Sequence, residues 1–224
     1  MQPIDAVPLF SGLTQAEQRE VAALGHERRI EPGDCLQVAG SPLRQLIVVL
    51  GGRVRVVNVG PDGTERVMRL LGPGEFIGET AFVTAHAPQH FAFADAPGRV
   101  FLLRHRDLDR LVARHPTIGM RMLQTTLERL LAAERLLAAI GRGDVSTRVA
   151  AYLLSLPRVT SAAGLVVTLP AAQKDIASYL VTTPETLSRR LGDLVEDGLI
   201  RRRGQHGFLI LDVPALTLRA QVSA

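Results

Sequence analysis

The chain has one cysteine and no apolar run long enough to cross a bilayer. Each shortage closes a class of function. Cys35 alone cannot make an internal disulfide, and it excludes a zinc site or metal cluster built only from cysteines of one chain. A membrane helix needs about 20 apolar residues, and the hydrophobic stretches here stop short even of ~18. No charged-then-apolar leader opens the sequence, so the expectation is a cytoplasmic protein with no membrane partner. Net charge is small too: 26 Lys/Arg against 22 Asp/Glu leave +4 over 224 residues. The excess is unevenly placed. Residues 1–141 hold 16 basic and 15 acidic side chains (+1), whereas residues 142–224 hold 10 and 7 (+3). That leans toward a polyanion at the C-terminal end without establishing one. Neither a G-x-S-x-G nucleophile turn nor a P-loop is present, and no enzyme is expected.

What the chain does have is 46% hydrophobic and 21% charged residues, the balance of a folded globular protein. From residue 28 to 104 the texture is short strands rich in Val, Ile and Leu, punctuated by glycine at Gly33, Gly40, Gly51, Gly52, Gly60, Gly63, Gly72 and Gly74. Turn signals at this spacing predict an all-β sandwich or roll. Gly60-Pro61-Asp62-Gly63 reads as a hairpin turn. Ahead of it, "LFSGLTQAEQREVAAL" reads as an amphipathic helix, with Thr14 as N-cap and Glu17 closing a capping box. A short helix ends at Pro116, and a long one runs to Ile140 and stops at Gly141. Met120, Leu123, Leu127, Leu130 and Leu137 fall at spacings of 3, 4, 3 and 7 along it, interrupted by Glu134. Such a stripe is either core packed on its own sheet or a two-helix dimer seam.

Beyond Gly141 the pattern is helix, strand, two helices and a basic hairpin. "AAQKDIASYL" is a helix whose Ile176, Ala177 and Leu180 point inward, and "VTT" is a tight turn. Pro184 opens the next helix, where its missing N–H costs nothing, and Thr183 is its N-cap. Leu187, Leu191, Leu194 and Val195 form the expected buried stripe. Glu185, Ser188 and Arg189 share one face of the first turns. Arg201, Arg202 and Arg203 follow at once.

Three stretches resemble the bacterial cyclic-AMP receptor protein / fumarate-nitrate reductase regulator (CRP/FNR) family of transcription regulators. They are "GRVRVV…GTERVMRLLGPGEFIGE", the long central helix, and "KDIASYLVTTPETLSRRLGDLVEDGLI". The resemblance covers nearly the whole chain, and the last stretch is its most specific part. It implies an α+β fold in three parts: a cyclic-nucleotide-binding-type β-roll sensor domain (1–115), a dimerisation helix (116–141) and a winged helix-turn-helix (142–224).

In that frame the helix opened by Pro184 is a recognition helix. Arg189 would fork onto O6 and N7 of guanine, Glu185 would accept from N4 of cytosine, and Ser188 would meet a thymine or adenine edge. Gln173, Lys174, Thr183, Thr186, Arg201, Arg202 and Arg203 would hold phosphates, and "GQHG" would be the wing turn. E-x-x-S-R with Pro184 ahead of it is similar to the fumarate-nitrate type, whose half-site is TTGAT. The partners implied are double-stranded DNA with a palindromic operator, a second copy of the chain, and RNA polymerase. A plainer account stays open: Glu185 boxing with Thr182, and Arg189 pairing with Asp193 one turn on.

The family's cyclic-AMP pocket is only half matched. Gly78 and Glu79, with Thr80 beside them, stand where a Gly-Glu pair holds the ribose. Gln89 and His90 stand where an Arg-Ser pair holds the cyclic phosphate, and Ala133 and Glu134 where the adenine is reached. Cyclic AMP is not the expected effector, because a guanidinium fork is what suits a phosphate. One thiol excludes a four-cysteine iron–sulfur sensor. A haem-based sensor of nitric oxide or carbon monoxide is the alternative within the class, with His26, His86 and His90 as candidate axial ligands and Met68 beside them. Cys35 reads either as an exposed redox thiol or as a buried inert one. The alternative outside the class is a small-molecule-binding module that regulates a partner protein. It leaves Glu185, Ser188 and Arg189 unexplained.

Overall fold

A computed structural model describes residues 7–221 except 43, 142–143, 157, 162–163, 170–171 and 205–206, with side chains left out for 135–141 and 158–161 as well. The chain divides into two compact units, Met1–Thr126 and Leu127–Ala224.

The first unit opens with a 3-10 turn at Pro8–Phe10 and helix α1 at Gln15–Leu24. The capping box forms as expected: Thr14 Oγ1 accepts from the Glu17 N–H, while Glu17 accepts from the Thr14 N–H at 2.6 Å. Those bonds from Thr14 hold the Glu17 carboxyl below its ordinary range. Strands β1 (His26–Ile30), β2 (Cys35–Gln37), β3 (Gln45–Val59), β4 (Glu65–Leu71) and β5 (Phe76–Ile77) follow. Helix α2 (Glu79–Thr84), strand β6 (Phe91–Arg104) and helix α3 (His105–Arg114) complete the run. The strands make one antiparallel sheet in the order β1-β6-β3-β4, with β2 added on β6 and β5 on β3. The Gly60–Gly63 hairpin closes through the Gly60 N–H and the Thr64 carbonyl at 2.9 Å.

Strand β3 explains why "LIVV" is apolar without alternation. Side chains of a strand point alternately to its two faces. Leu46 and Val48 join Phe101 and Leu103 against Val21 of α1 and Leu108 and Leu111 of α3. Ile47 and Val49 join Val54, Val56, Ala92 and Ala94 inside the roll. Both faces are covered, so both are apolar.

Helix α4 spans Pro116–Gly141. In the second unit α5 (Val145–Ser155), β7 (Arg158–Ser161), β8 (Gly164–Thr168), α6 (Gln173–Tyr179) and α7 (Pro184–Glu196) precede the hairpin β9 (Ile200–Arg203) and β10 (Gly207–Ile210) and the last helix α8 (Val213–Gln221). The sheet is antiparallel in the order β7-β8-β10-β9. β7 and α8 were not foreseen. Four residues are too few to show a period, and α8 carries Pro214 in its first turn with Leu216 as its fully buried residue.

Candidate nucleic-acid interface and sensor pocket

Helix α6 buries Ile176, Ala177 and Leu180 as its spacing requires. Its end is a Schellman motif. The Thr182 N–H donates to the Ala177 carbonyl at 2.9 Å and the Val181 N–H to the Ser178 carbonyl at 3.1 Å. That motif places Val181 in the left-handed region, at φ 53°. A β-branched residue held there costs on the order of 1–3 kcal/mol. Helix α7 ends in the same motif, with Leu199 bonded to Leu194 and Gly198 to Val195. There the left-handed position, at φ 71°, belongs to glycine. The Val181 carbonyl accepts from Arg148 Nη2 at 3.2 Å, and Arg148 is a buried residue of α5.

Thr183 caps α7: its Oγ1 accepts from the Thr186 N–H at 3.2 Å, and Pro184 takes the first helical position. Leu187, Leu191 and Leu194 are buried, but Val195 is only half-buried. At about 100° per residue it stands at the margin of the stripe that the other three centre. Glu185, Ser188 and Arg189 are all exposed on the opposite face. The plainer account of these residues does not hold. Asp193 pairs with Arg190 at 2.9 Å rather than with Arg189, which has no ion pair among the described residues. Nor does Glu185 box with Thr182, because the cap is Thr183. Hydrogen bonds from its own backbone and from Thr183 hold the Glu185 carboxyl below the usual carboxylate range.

Around this face Lys174 and Thr183 are exposed, and Gln173 and Thr186 half-buried. Arg201, Arg202 and Arg203 lie exposed along β9. Arg202 stands opposite Phe208 of β10, its guanidinium 5.6 Å from the ring centre. The wing turn, Gln205 and His206, lies outside the described residues.

In the roll, Gly78 takes φ 101° as the residue before α2, a left-handed conformation that suits glycine. Glu79 is buried and meets Arg69 Nη1 at 3.2 Å, while Arg69 Nη2 donates to the Phe76 carbonyl at 3.0 Å. Arg69 stands directly opposite Val56, whose side chain is inside the roll, so the guanidinium shares that inner side. Thr80 and Gln89 are exposed, and His90 is half-buried with its carbonyl taken by Gln37 Nε2 at 2.8 Å. Ala133 and Glu134 are exposed on α4. Burial holds the His105 imidazole below its ordinary pKa. Its ring meets Phe82 edge-on at 5.4 Å.

Helix α4 has two faces. Ile118 and Met122 are buried in the first unit's core. Met120, Leu123, Leu127 and Leu130 are each about half exposed (56, 51, 49 and 53%), and Leu131 at 49% widens the stripe. Leu137 lies among the residues whose side chains are not described. The stripe is therefore part of the core of neither unit.

A model described as a Crp-like helix-turn-helix domain matches residues 147–219, and one described as a cyclic nucleotide-binding domain matches residues 27–115. The probable transcriptional regulator flp of Lacticaseibacillus casei is 31% identical over 89% of this chain and 90% of its own. The chain belongs to the CRP/FNR family of transcription regulators. The cyclic AMP receptor protein of Thermus thermophilus is 30% identical over 87% of this chain and 88% of its own. The solved structure of FixK2 from Bradyrhizobium japonicum shares the fold, with a TM-score of 0.73 at 24% identity over 89% of this chain and 99% of that one. The Lacticaseibacillus casei relative is named a transcriptional regulator, and the helix-turn-helix makes DNA the ligand class of the second unit. No helix among the described residues is long and apolar enough to cross a membrane.

Within a CRP/FNR regulator a haem would need axial ligands set in an apolar slot. His26, His86 and Met68 are exposed, and His90 is half-buried. His86 and His90 do stand four apart, a spacing that pairs ligands on a helix, but Pro88 lies between them in irregular chain. The residues present do not fit the group. Cys35 is exposed, its thiol 3.4 Å from the Gln37 carbonyl. Reading the sequence missed Val181, Arg148 and Arg69. One signal was available: a tight turn spelled Leu-Val-Thr-Thr contains no glycine.

Proposed function

We propose that the chain is a homodimeric, sequence-specific DNA-binding regulator that reads an inverted repeat of TTGAT-type half-sites. Glu185, Ser188 and Arg189 read bases, and Gln173, Lys174, Thr183, Thr186, Arg201, Arg202 and Arg203 hold phosphates. The observation that carries this reading is that Glu185, Ser188 and Arg189 lie exposed on one face, with Arg189 free of any ion pair among the described residues. A guanidinium without an internal partner is available to a guanine edge. The ionised Glu185 offers only acceptors, as an amino group of cytosine requires.

The half-exposed stripe Met120–Leu131 supports a second copy as the partner of α4, since knobs at this spacing fill the holes of a like helix. Two copies would set their recognition helices about 34 Å apart, one turn of DNA. The parts of the molecule are then a sensor domain (1–115), a dimerisation helix (116–141) and a DNA-binding domain (142–224), with RNA polymerase as the further partner. The sensor domain answers to an effector other than cyclic AMP. Arg69 already engages Glu79, and Gln89 and His90 bring no guanidinium to a phosphate. The test is a gel shift with a palindromic TTGAT…ATCAA duplex against a scrambled duplex of equal length. Preferential binding is expected, and equal binding to both would contradict the reading.

A further inference from the structure

We propose that Arg148 is a positioning residue for the recognition helix, acting through the backbone carbonyl of Val181. The proposal rests on the reading of α7 as the base-reading helix.

The molecule supplies its own control. α6 and α7 stop in the same Schellman motif, with the same two backbone bonds and one left-handed residue. At the end of α7 that residue is Gly198, and the conformation is unstrained. At the end of α6 it is Val181, whose Cβ branches crowd the backbone in that region. Burial does not offset the strain, because Val181 is 54% exposed. The group that holds the turn is the peptide just beyond the strained residue. Its carbonyl accepts from Arg148 Nη2 at 3.2 Å, a bond that restricts ψ of Val181. A charge-assisted bond is roughly twice as strong as a neutral one. Arg148 is only 7% exposed, so its guanidinium has little freedom to exchange this acceptor for water.

Geometry then carries the effect forward. Thr182 and Thr183 follow Val181 directly, and Thr183 caps α7. The direction of the Val181 carbonyl therefore sets where α7 begins, and with it where Glu185, Ser188 and Arg189 stand. Beside the packing of α5 on α7, Arg148 ties α5 to the turn ahead of the recognition helix through a hydrogen bond spanning 33 residues of sequence.

The test is a double-mutant cycle in the full-length protein, with Arg148→Met, Val181→Gly and the pair, plus Arg148→Lys and Arg189→Ala. Two quantities are read: the affinity ratio of the palindromic TTGAT…ATCAA duplex to a random duplex at one salt concentration, and the thermal midpoint without DNA. Arg148→Met should lower the ratio about tenfold and Arg148→Lys less, while Val181→Gly leaves it within about twofold and raises the midpoint. The pair should recover most of the loss, because glycine holds the turn without the clamp. A folded Arg148→Met whose ratio is unchanged, while Arg189→Ala lowers it, overturns the proposal. So does a pair whose effects simply add. If Arg148→Met does not fold, Arg148→Lys and Val181→Gly decide, and a midpoint lowered by Val181→Gly overturns the strain on which the clamp depends. If Arg189→Ala leaves the ratio unchanged, the reading of α7 itself fails. The clamp then stands or falls on whether the midpoints are non-additive.

Discussion

Arg189 and Arg69 show how differently the two units use the same side chain. Arg189 projects from α7 into solvent and has no ion pair among the described residues. Arg69 turns to the inner side of the roll and spends its guanidinium on Glu79 and the Phe76 carbonyl. An unpartnered cation on a surface loses little by meeting an external ligand. A paired one inside a fold must first give up bonds it already has. The second unit is therefore poised for an outside partner, while in the roll Arg69 already holds one oxygen of the Glu79 carboxylate.

The largest effect expected falls on the helix that belongs to both units. Leu130→Arg places a charge in the exposed stripe of α4 and should give a monomer by light scattering. Operator affinity should drop by roughly a hundredfold or more, because the second half-site no longer adds its binding. A variant that remains dimeric would move the interface away from α4.

Breaking the roll's pair comes next. Arg69→Met removes the charged donor from Glu79 and should cost roughly 1–2 kcal/mol by urea denaturation, at the low end for a pair partly open to solvent. Calorimetry of the unaltered protein with cyclic AMP should show no binding at micromolar concentration. Tight binding would mean that Glu79 is more available than its bond to Arg69 implies.

What could be read without coordinates follows from distance along the chain. Glu185, Ser188 and Arg189 are one turn apart, and helical spacing alone puts them on one face. The Thr14–Glu17 box and the Pro184 start are equally local. Arg69 needed the register that sets it against Val56, together with the loop that brings Glu79 back to it. Arg148 needed a bond across 33 residues. The α4 stripe was ambiguous for a related reason: its period shows a buried face, and only Ile118 and Met122 in the core reveal which face the unit itself uses. Asp193 had two arginines within reach, Arg189 and Arg190, and spacing could not choose between them.

The smallest effect separates the roll by pH. Burial lowers the His105 pKa below its ordinary 6.5. The unfolded chain then binds the extra proton first. The stability that neutral His105 gives is complete above about 6.5 and is lost as pH falls toward the depressed folded value. His105→Gln should flatten the dependence of the urea midpoint on pH in that window. An unchanged slope would assign it to another group.

If α7 reads bases, Arg189 carries sequence preference, while the basic residues around it carry only affinity for phosphates. The direct measurement is the specific-to-random affinity ratio of Arg189→Ala at one fixed salt concentration, beside Arg202→Ala. Arg189→Ala should lose about 1–3 kcal/mol on the palindrome and far less on random DNA, so the ratio falls. Arg202→Ala should weaken both duplexes alike and reduce the salt slope by about 1, leaving the ratio where it was. A ratio unchanged by Arg189→Ala would contradict the account.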